Sequence, residues 1–447
     1  MLSASAHPAL ADVKLPDLFG DHMVLQRDQL LPIWGWADPG EQVTVKLDHA
    51  TATAIADNQG NWKVMLPALH ADGDPHRMIV SGRNTVVVED ILIGDVWLGS
   101  GQSNMEFTMG CCSNAREATT NAIHPQIRLM TVPKVRVPQP ARDIAVPGAV
   151  DGKKESVWQP SAQMSAANFS GVLYFFGLRL HKELGVPIGL IGSSFGGSGI
   201  EFWQVSNGTN ADMYNGMIAP VKPFRIRGVL WYQGEANVEN GLRYADQMKD
   251  LIEGWRKVWG YDFPFYFVQI APCAAWYKPD SLPWLWEAQV ATLKIPGTGM
   301  AVTTDLVETN KLGDIHPGNK IDVGNRLARW ALAKEYKQDI VYSGPLYKAM
   351  KVEGARIRLS FAHVGGGLQS RDNNPLTEFE IAGADDKFVP ATAAIDGPTL
   401  VVESPQVTAP TQVRFGWRNV ANPNLVNKAG LPASPFHTSN WRGGTGE

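Results

Sequence analysis

Cysteine and long apolar runs are both scarce in this chain of 447 residues. The three cysteines, Cys111, Cys112 and Cys273, are too few for a disulfide framework. Free thiols are therefore predicted, and the alternatives are a vicinal Cys111–Cys112 bridge or a bridge from either residue to Cys273. No apolar run reaches the roughly 20 residues that a membrane-spanning helix needs, so the sequence predicts no contact with a membrane.

An excess of one charge is also lacking, because the formal net charge is −4 and no long basic run occurs. This balance argues against a nucleic-acid partner, which would need clustered cations for its phosphates. No group of histidines and cysteines has the spacing of a zinc site, so a metal-dependent deacetylase is disfavoured. The sequence predicts neither a metal nor a cofactor.

What is present divides the chain into three parts, because its length is too great for one compact core. Residues 12–90 carry short alternating runs between turn residues, which predicts an N-terminal antiparallel β domain. Residues 91–338 alternate apolar strands with amphipathic helices, which predicts an α/β domain with a doubly wound parallel sheet. Residues 339–447 return to a β pattern and predict a C-terminal β domain.

A serine follows the most apolar of these strands. Residues 91–99 predict a buried strand, and Gly101, Gln102 and Ser103 come directly after it. A serine at such a strand-to-helix corner has its hydroxyl exposed at the carboxyl edge of the sheet, where α/β folds place their chemistry. The alternative is that Ser103 caps the next helix.

Three later segments favour a nucleophilic serine. Residues 186–201 run from a strand into glycines, whose backbone N–H groups can point at a ligand oxygen. Residues 228–237 end in Asn237, whose amide can donate to a developing oxyanion. His316 lies beside Asp314 in a Gly/Pro loop, and histidine is the usual base for serine. Taken singly, these segments are equally typical of a turn, a capping asparagine and a surface histidine.

Together the four segments resemble the Ser-Gly-Asn-His (SGNH) esterase superfamily, and within it the sialate O-acetylesterase family of carbohydrate acetylesterases. The resemblance covers nearly the whole chain, and the order and spacing of its motifs make it specific. The matching segments are Leu15–Gln26, Pro32–Ala37, Asp95–Met105, Tyr214–Pro220, Trp231–Asn237 and Asp314–Pro317. It implies an SGNH-hydrolase-like sheet with accessory antiparallel β domains at both ends of the chain.

The resemblance also implies residue roles. Ser103 would be the nucleophile and His316 the base, while the Ser103 N–H, the Gly197 N–H and the Asn237 amide would bind the oxyanion. The candidate substrate contacts, from the motifs and from aromatic residues in or just after loops that follow strands, are Gln102, Gln233, Glu235, Trp203 and Tyr277.

The acid that would orient His316 departs from the superfamily pattern, which places an aspartate three residues before the histidine. Gly313 occupies that position here, and Asp314 lies only two residues before His316. Glu287, in a Trp-Glu-Ala-Gln segment that resembles a motif of related carbohydrate esterases, is the second candidate. A Ser-His dyad oriented by a backbone carbonyl is the third.

The implied activity is a serine esterase that removes O-acetyl groups from a carbohydrate through an acetyl-enzyme. Acetylated sialic acid, xylan and xyloglucan all fit this expectation. The alternatives are a non-catalytic carbohydrate-binding protein on an esterase scaffold, and a short-chain lipase or thioesterase of the same superfamily. Ser5–Ala11 resembles the end of a signal peptide, which predicts a periplasmic or secreted protein; an untargeted Ala-rich arm is the alternative.

Overall fold

A computed structural model describes residues 12–145, 157–205, 211–308, 311–440 and 442–444, so the signal-like segment Ser5–Ala11 lies outside the described residues. The N-terminal part is built of short strands that mostly pair antiparallel, and β3 and β5 alternate buried and more exposed residues as predicted. These strands are β1 (Val24–Gln26), β2 (Leu31–Trp36), β3 (Gln42–Leu47), β4 (Ala50–Ile55), β5 (Asn61–Leu66), β6 (His76–Ser81) and β7 (Thr85–Gly101).

The middle of the chain alternates helices with strands. The helices are α1 (Ser103–Glu106), α2 (Ala115–Thr120), α3 (Gln163–Ala167), α4 (Gly171–Leu184), α5 (Arg243–Trp259), α6 (Leu282–Thr292) and α7 (Lys320–Lys334). The strands are β8 (His124–Thr131), β9 (Trp158–Ser161), β10 (Ile188–Ser194), β11 (Gly228–Tyr232), β12 (Phe265–Val268) and β13 (Thr298–Ala301). Helices α4 and α7 pack against each other, as do α5 and α6.

These strands form one sheet in the order β13-β12-β11-β7-β10-β8-β9, and all neighbours are parallel except the edge pair β8–β9. Strands β10 to β13 are almost entirely buried, which is why their sequences are nearly continuous apolar runs. Strands β10 and β11 follow each other in the sequence but lie on opposite sides of β7. Such a reversal of strand order opens a crevice at the carboxyl end of the central strand.

The predicted boundary between residues 90 and 91 falls inside β7. The first half of β7 pairs antiparallel with β6, and the second half pairs parallel with β10 and β11. The buried side chains of the N-terminal strands belong to the same hydrophobic core as those of the central sheet. One continuous strand therefore joins the two parts that the sequence pattern separates.

The C-terminal part contains antiparallel sheets and a second hydrophobic core, in agreement with the predicted β pattern. One sheet has the order β14-β15-β20-β19, another the order β18-β17-β21-β23, and β16 pairs with β22. Its strands are β14 (Leu346–Glu353), β15 (Arg356–Ala362), β16 (Leu368–Ser370), β17 (Phe379–Ala382), β18 (Val389–Pro390), β19 (Thr392–Asp396), β20 (Thr399–Glu403), β21 (Gln412–Phe415), β22 (Leu425–Asn427) and β23 (Phe436–His437).

The last residue of β7, Gly101, sets the corner that leads to Ser103. Its φ is +133°, and a Cβ built on it would lie 2.1 Å from the carbonyl oxygen of Tyr232 at the end of β11. That oxygen also accepts a 3.0 Å hydrogen bond from the backbone N–H of Gln102, so it is held in place. Only glycine fits here, for both its dihedral and its lack of a side chain.

Gly101→Ala should therefore lower the free energy of unfolding by more than about 2 kcal/mol, because it combines an unfavourable dihedral with a steric overlap. Urea denaturation measures this loss. The matched control is Gly185→Ala at the C-cap of α4, where φ is +65° and no atom lies within 4 Å of an added Cβ. That variant should lose only about 1 kcal/mol. Equal losses in the two variants would show that the overlap with Tyr232 has no effect.

Candidate active site

Ser103 is the first residue of α1, and Gln102 is the N-cap. The alternative prediction that Ser103 caps this helix is therefore wrong. The Ser103 side chain is half-buried at the carboxyl end of β7, and its Oγ lies 2.8 Å from Nε2 of His316. These two residues are 213 positions apart in the sequence, and the fold alone brings them together.

The loop before α7 presents His316 to Ser103. Oδ1 of Asp314 accepts the backbone N–H of His316 at 2.8 Å and lies 3.2 Å from its Nδ1. When Nδ1–H donates to Asp314, Nε2 is unprotonated and accepts the hydroxyl proton of Ser103. The ring of Phe107 stacks on the imidazole, with centroids 6.2 Å apart and planes inclined by 23°. The structure thus places Asp314 in contact with His316, although Asp314 stands two residues before the histidine and not three.

Glu287 lies elsewhere, and its candidacy as the orienting acid is corrected. This carboxylate is buried in α6, where one oxygen bonds Nε2 of His437 at 2.7 Å and the other accepts the backbone N–H of Arg442 at 2.9 Å. Both oxygens are thus bonded to the C-terminal end of the chain. Glu287 links α6 to β23 instead of reaching His316.

Two of the predicted oxyanion donors, Gly197 and Asn237, lie in the loop after β10 or in contact with it. Gly197 is exposed with a φ of +75°, and a Cβ added to it would meet no atom within 4 Å, so the space beside its backbone is open to a ligand. The backbone of its neighbour Gly196 packs against Ser103, since a Cβ added to Gly196 would lie 3.6 Å from the Cβ of Ser103. Oδ1 of Asn237 accepts the N–H of Ile200 at 2.9 Å, which fixes the amide orientation.

The amide nitrogen of Asn237 donates to Glu201 at 3.0 Å and carries a second N–H. The arrangement therefore offers N–H donors from the loop after β10 and from the segment after β11. A tetrahedral intermediate of acyl transfer requires donors of this kind.

Three of the predicted substrate contacts are instead internal supports. Gln102 and Gln233 are almost completely buried, and Nε2 of Gln233 donates to Oε1 of Gln102 at 3.1 Å and to Oδ1 of Asn237 at 2.6 Å. Glu235 is also buried and accepts a hydrogen bond from Asn104. These side chains hold the asparagine and the serine corner from within, so the prediction that they contact substrate is corrected.

The two predicted aromatic contacts are placed differently as well. Trp203 is fully buried, donates to Oγ of Ser198 at 2.9 Å and packs edge-on against Trp231, so it has no face for a ligand. Tyr277 is half-buried, and its hydroxyl has no hydrogen-bond partner among the described residues. The hydroxyl oxygen is itself buried, so it points inward, and this burial, with the nearby charge of Glu235, raises the pKa of Tyr277.

Comparison with known proteins assigns the family. The profile of a family described as carbohydrate esterase, sialic acid-specific acetylesterase, matches residues 93–333, which is more than half of the chain. A carbohydrate acetylesterase from Xanthomonas citri is 40% identical and superposes with a TM-score of 0.90 over 96% of this chain and 100% of that one. The chain belongs to this family of carbohydrate esterases.

Curated relatives agree over most of the chain. The human sialate O-acetylesterase is 29% identical, and the match covers 93% of this chain and 90% of that protein. The mouse sialate O-acetylesterase is 28% identical, with 89% and 88% covered. The enzyme is accordingly a carbohydrate O-acetylesterase, which confirms the resemblance found in the sequence motifs.

Other features of the esterase concern metals, thiols and membranes. Within the described ranges, no three or more histidine, cysteine, aspartate or glutamate side chains are grouped as metal ligands. All three cysteines are free, with Cys111 exposed and Cys112 and Cys273 buried, as predicted. Among the helices of the described segments, none has the length and apolarity to cross a membrane.

Several residues near Ser103 and His316 are not among those predicted from the sequence. Oε2 of Glu106 accepts the N–H of Gly196 at 2.8 Å, and its other oxygen pairs with Lys134. Trp276 is 68% exposed and donates to the carbonyl oxygen of Gly313 at 3.2 Å, next to Asp314. The position of Glu106 three residues after the serine was a usable signal, because it places the carboxylate within one helical turn of the nucleophile.

Replacing each of the two carboxylates by its amide should have a different effect on kcat. Asp314→Asn should lower kcat on an aryl acetate by at least about a hundredfold, and at most about ten-thousandfold, because the imidazolium of the transition state loses its partner. Glu287→Gln keeps the shape of a group that bonds only His437 and the Arg442 backbone, so kcat should stay within about twofold. Steady-state kinetics on the two purified variants measure both values. The reverse ranking would assign the acid to Glu287, and little change in either variant would indicate a Ser-His dyad.

Proposed function

We propose that this esterase removes acetyl groups from carbohydrate hydroxyls by forming an acetyl-enzyme on Ser103. The single observation that carries the proposal is the 2.8 Å contact between Oγ of Ser103 and Nε2 of His316 at the carboxyl end of the central strand. A serine hydroxyl is a weak nucleophile at neutral pH unless a base accepts its proton. This contact supplies the base in hydrogen-bonding distance.

In the first half-reaction, Oγ of Ser103 attacks the acetyl carbonyl carbon while Nε2 of His316 takes its proton. The carbonyl oxygen becomes an oxyanion that the N–H groups of Ser103 and Gly197 and the amide of Asn237 bind. Asp314 stabilises the imidazolium through Nδ1–H. The intermediate then collapses, and the imidazolium gives its proton to the departing sugar hydroxyl.

In the second half-reaction, His316 deprotonates a water molecule that attacks the acetyl-enzyme. The same donors bind the second oxyanion, and Oγ of Ser103 recovers its proton as acetate leaves. The overall reaction consumes one ester and one water and yields one alcohol and one acetic acid. No step needs a cofactor.

Ser103→Ala and His316→Ala should each lower the rate of acetate release from an acetylated oligosaccharide by at least about a thousandfold, because these groups act as one unit. Circular dichroism and thermal unfolding control for the fold, which neither truncation should change. The double variant should be no slower than the single ones by more than about tenfold. If Ser103→Ala kept a tenth of the wild-type rate, the proposed mechanism would be wrong.

The charges beside the site favour an uncharged sugar. Glu201 and Asp314 place two carboxylates near the oxyanion donors and the histidine. The charge of Glu106, which is bonded to Gly196, is balanced by Lys134. A sugar that carries its own carboxylate, such as sialic acid, would be repelled here unless a cation compensated it. We infer that acetylated neutral glycans, such as xylan or xyloglucan fragments, are preferred.

Trp276 supplies an aromatic face for such a sugar. Its loop is held to the histidine loop by the N–H of Ala274, which donates to the carbonyl of Leu312 at 2.7 Å. Asn419 of the C-terminal part holds the other end, because its side chain donates to the carbonyl of Lys278 at 2.7 Å. The indole is thus exposed on a fixed support next to the catalytic histidine, and indole faces pack well against the C–H faces of sugar rings.

Trp276→Ala should raise KM for an acetylated neutral oligosaccharide about fivefold to tenfold, because one stacking contact is worth about 1 kcal/mol. Its kcat/KM on vinyl acetate, which has no ring to stack, should stay within twofold. Trp284→Ala is the matched control, since Trp284 is also exposed but packs on Trp417. Equal losses on both substrates would exclude a sugar contact, and a higher kcat/KM on acetylated sialic acid would contradict the preference for neutral glycans.

The enzyme also acts outside the cytoplasm in this proposal, either in the periplasm or as a secreted protein. The Ala-x-Ala pattern that ends at Ala11 supports this location.

A further inference from the structure

A chain of buried polar side chains lies under the proposed catalytic pair and is used by none of its steps. Lys320, at the start of α7, is completely buried, and its Nζ donates to Oδ1 of Asn104. Nδ2 of Asn104 donates to Oε1 of Glu235 at 2.6 Å and to the carbonyl oxygen of Ile315 at 2.8 Å. One amide therefore joins a cation, an anion and a backbone carbonyl.

This unit has only one consistent hydrogen-bonding arrangement. An ammonium group only donates, whereas a carboxylate and a carbonyl oxygen only accept, so the amide oxygen must face Lys320 and the amide nitrogen must face Glu235 and Ile315. All hydrogens of the amide nitrogen are then used. Within the described ranges, Lys320 and Glu235 form no direct ion pair, and their charges meet through the amide of Asn104.

The cost of this unit indicates a role beyond packing. Burying an ammonium and a carboxylate is unfavourable, and apolar residues of similar volume would often be as stable or more stable. One oxygen of Glu235 is even left without a hydrogen-bond partner among the described residues. Such a group is explained more easily by a demand of the site than by stability.

The unit connects the two halves of the catalytic pair. Asn104 follows Ser103 directly and Ile315 precedes His316 directly, although the two residues joined by this bond are 211 positions apart. Nζ of Lys320 also lies 4.8 Å from the ring centroid of Phe107, and the same ring stacks on the imidazole of His316. Lys320 thus supports His316 both through Asn104 and through Phe107.

We propose that Lys320, Asn104 and Glu235 are positioning residues that hold the His316 loop in register with Ser103 through the Ile315 carbonyl. The proposal rests on the proposed roles of Ser103 and His316. Its physical basis is that a misplacement of about 1 Å between nucleophile and base costs about a hundredfold in rate. The charges at the two ends of the amide polarise it and strengthen its bond to Ile315.

The charge of the unit depends on pH. Burial, opposed by Glu235, lowers the pKa of Lys320 to about 7, so this side chain is cationic below neutral pH. The other ionisable groups that face the unit are Cys112 and Asp314 near Lys320, and Tyr232, Tyr244 and Tyr277 near Glu235. Burial raises the pKa of the Cys112 thiol to about 11 and raises those of the tyrosines, so they stay neutral throughout the assay.

The first test is kinetic. Asn104→Ala should lower kcat on an aryl acetate by about 10- to 100-fold with KM changed less than about threefold, because the loss concerns alignment and not binding. The matched control is Asn427→Ala in the C-terminal part, which is equally buried and donates to the carbonyls of Ser343 and His363. It should lose stability but keep kcat. A folded Asn104→Ala with more than half of the wild-type kcat would overturn the proposal.

The second test distinguishes positioning by this charged unit from a general loss of structure. Lys320→Met removes a cation, so the acid limb of the kcat/KM profile should move to higher pH by at least about 0.3 unit. Glu235→Gln removes an anion and keeps an acceptor for Asn104, so the limb should move to lower pH. If the acid limb of the kcat/KM profile stayed at the wild-type pH in both variants, the proposal would be overturned. An active Ser103→Ala would instead refute the proposed mechanism itself.

Discussion

The close approach of two strand ends is the constraint on which the rest of the site depends. Where β7 ends, the carbonyl oxygen of Tyr232 occupies the space that a side chain at Gly101 would need, and it also accepts the N–H of Gln102. The chain must therefore turn at this point, and Ser103 becomes the first residue of a helix with its hydroxyl over the carboxyl edge of the sheet. Because β10 and β11 pair with β7 on opposite sides as far as Gly101, the loops that follow them begin on either side of this corner.

A second constraint on the site is a set of hydrogen bonds between buried side chains. Gln102 and Gln233 join the serine corner to Asn237, and Asn104 joins it to the segment that carries His316. These side chains lie in the same motifs as the reactive residues, yet they face the interior. The motif residues around Ser103 thus divide into a few that are partly exposed and a larger group that is buried beneath them, and in the proposed mechanism the buried group aligns the exposed one.

Much of this was predictable from the sequence, because strands and motifs are local patterns. The apolar runs before Ser103 and Asn237 predicted their strands, and the Asp314-Ile-His316 segment indicated the contact that the structure shows between these two side chains. Burial was not predictable, since Gln102, Glu235 and Trp203 are residue types that occur both inside proteins and in sugar sites. The continuity of β7 across residue 90 was not predictable either, because the strand changes from an antiparallel partner to parallel ones and no composition change marks that point.

The most direct test of the account is covalent labelling of the nucleophile. The enzyme is treated with a fluorophosphonate, which reacts with a serine hydroxyl only when a neighbouring base activates it. Peptide mass spectrometry then locates the label. The account predicts one label per chain, on Ser103, whose appearance parallels the loss of acetate release and is abolished in His316→Ala. Labelling of a different residue, or full acetate release after complete labelling of Ser103, would contradict it.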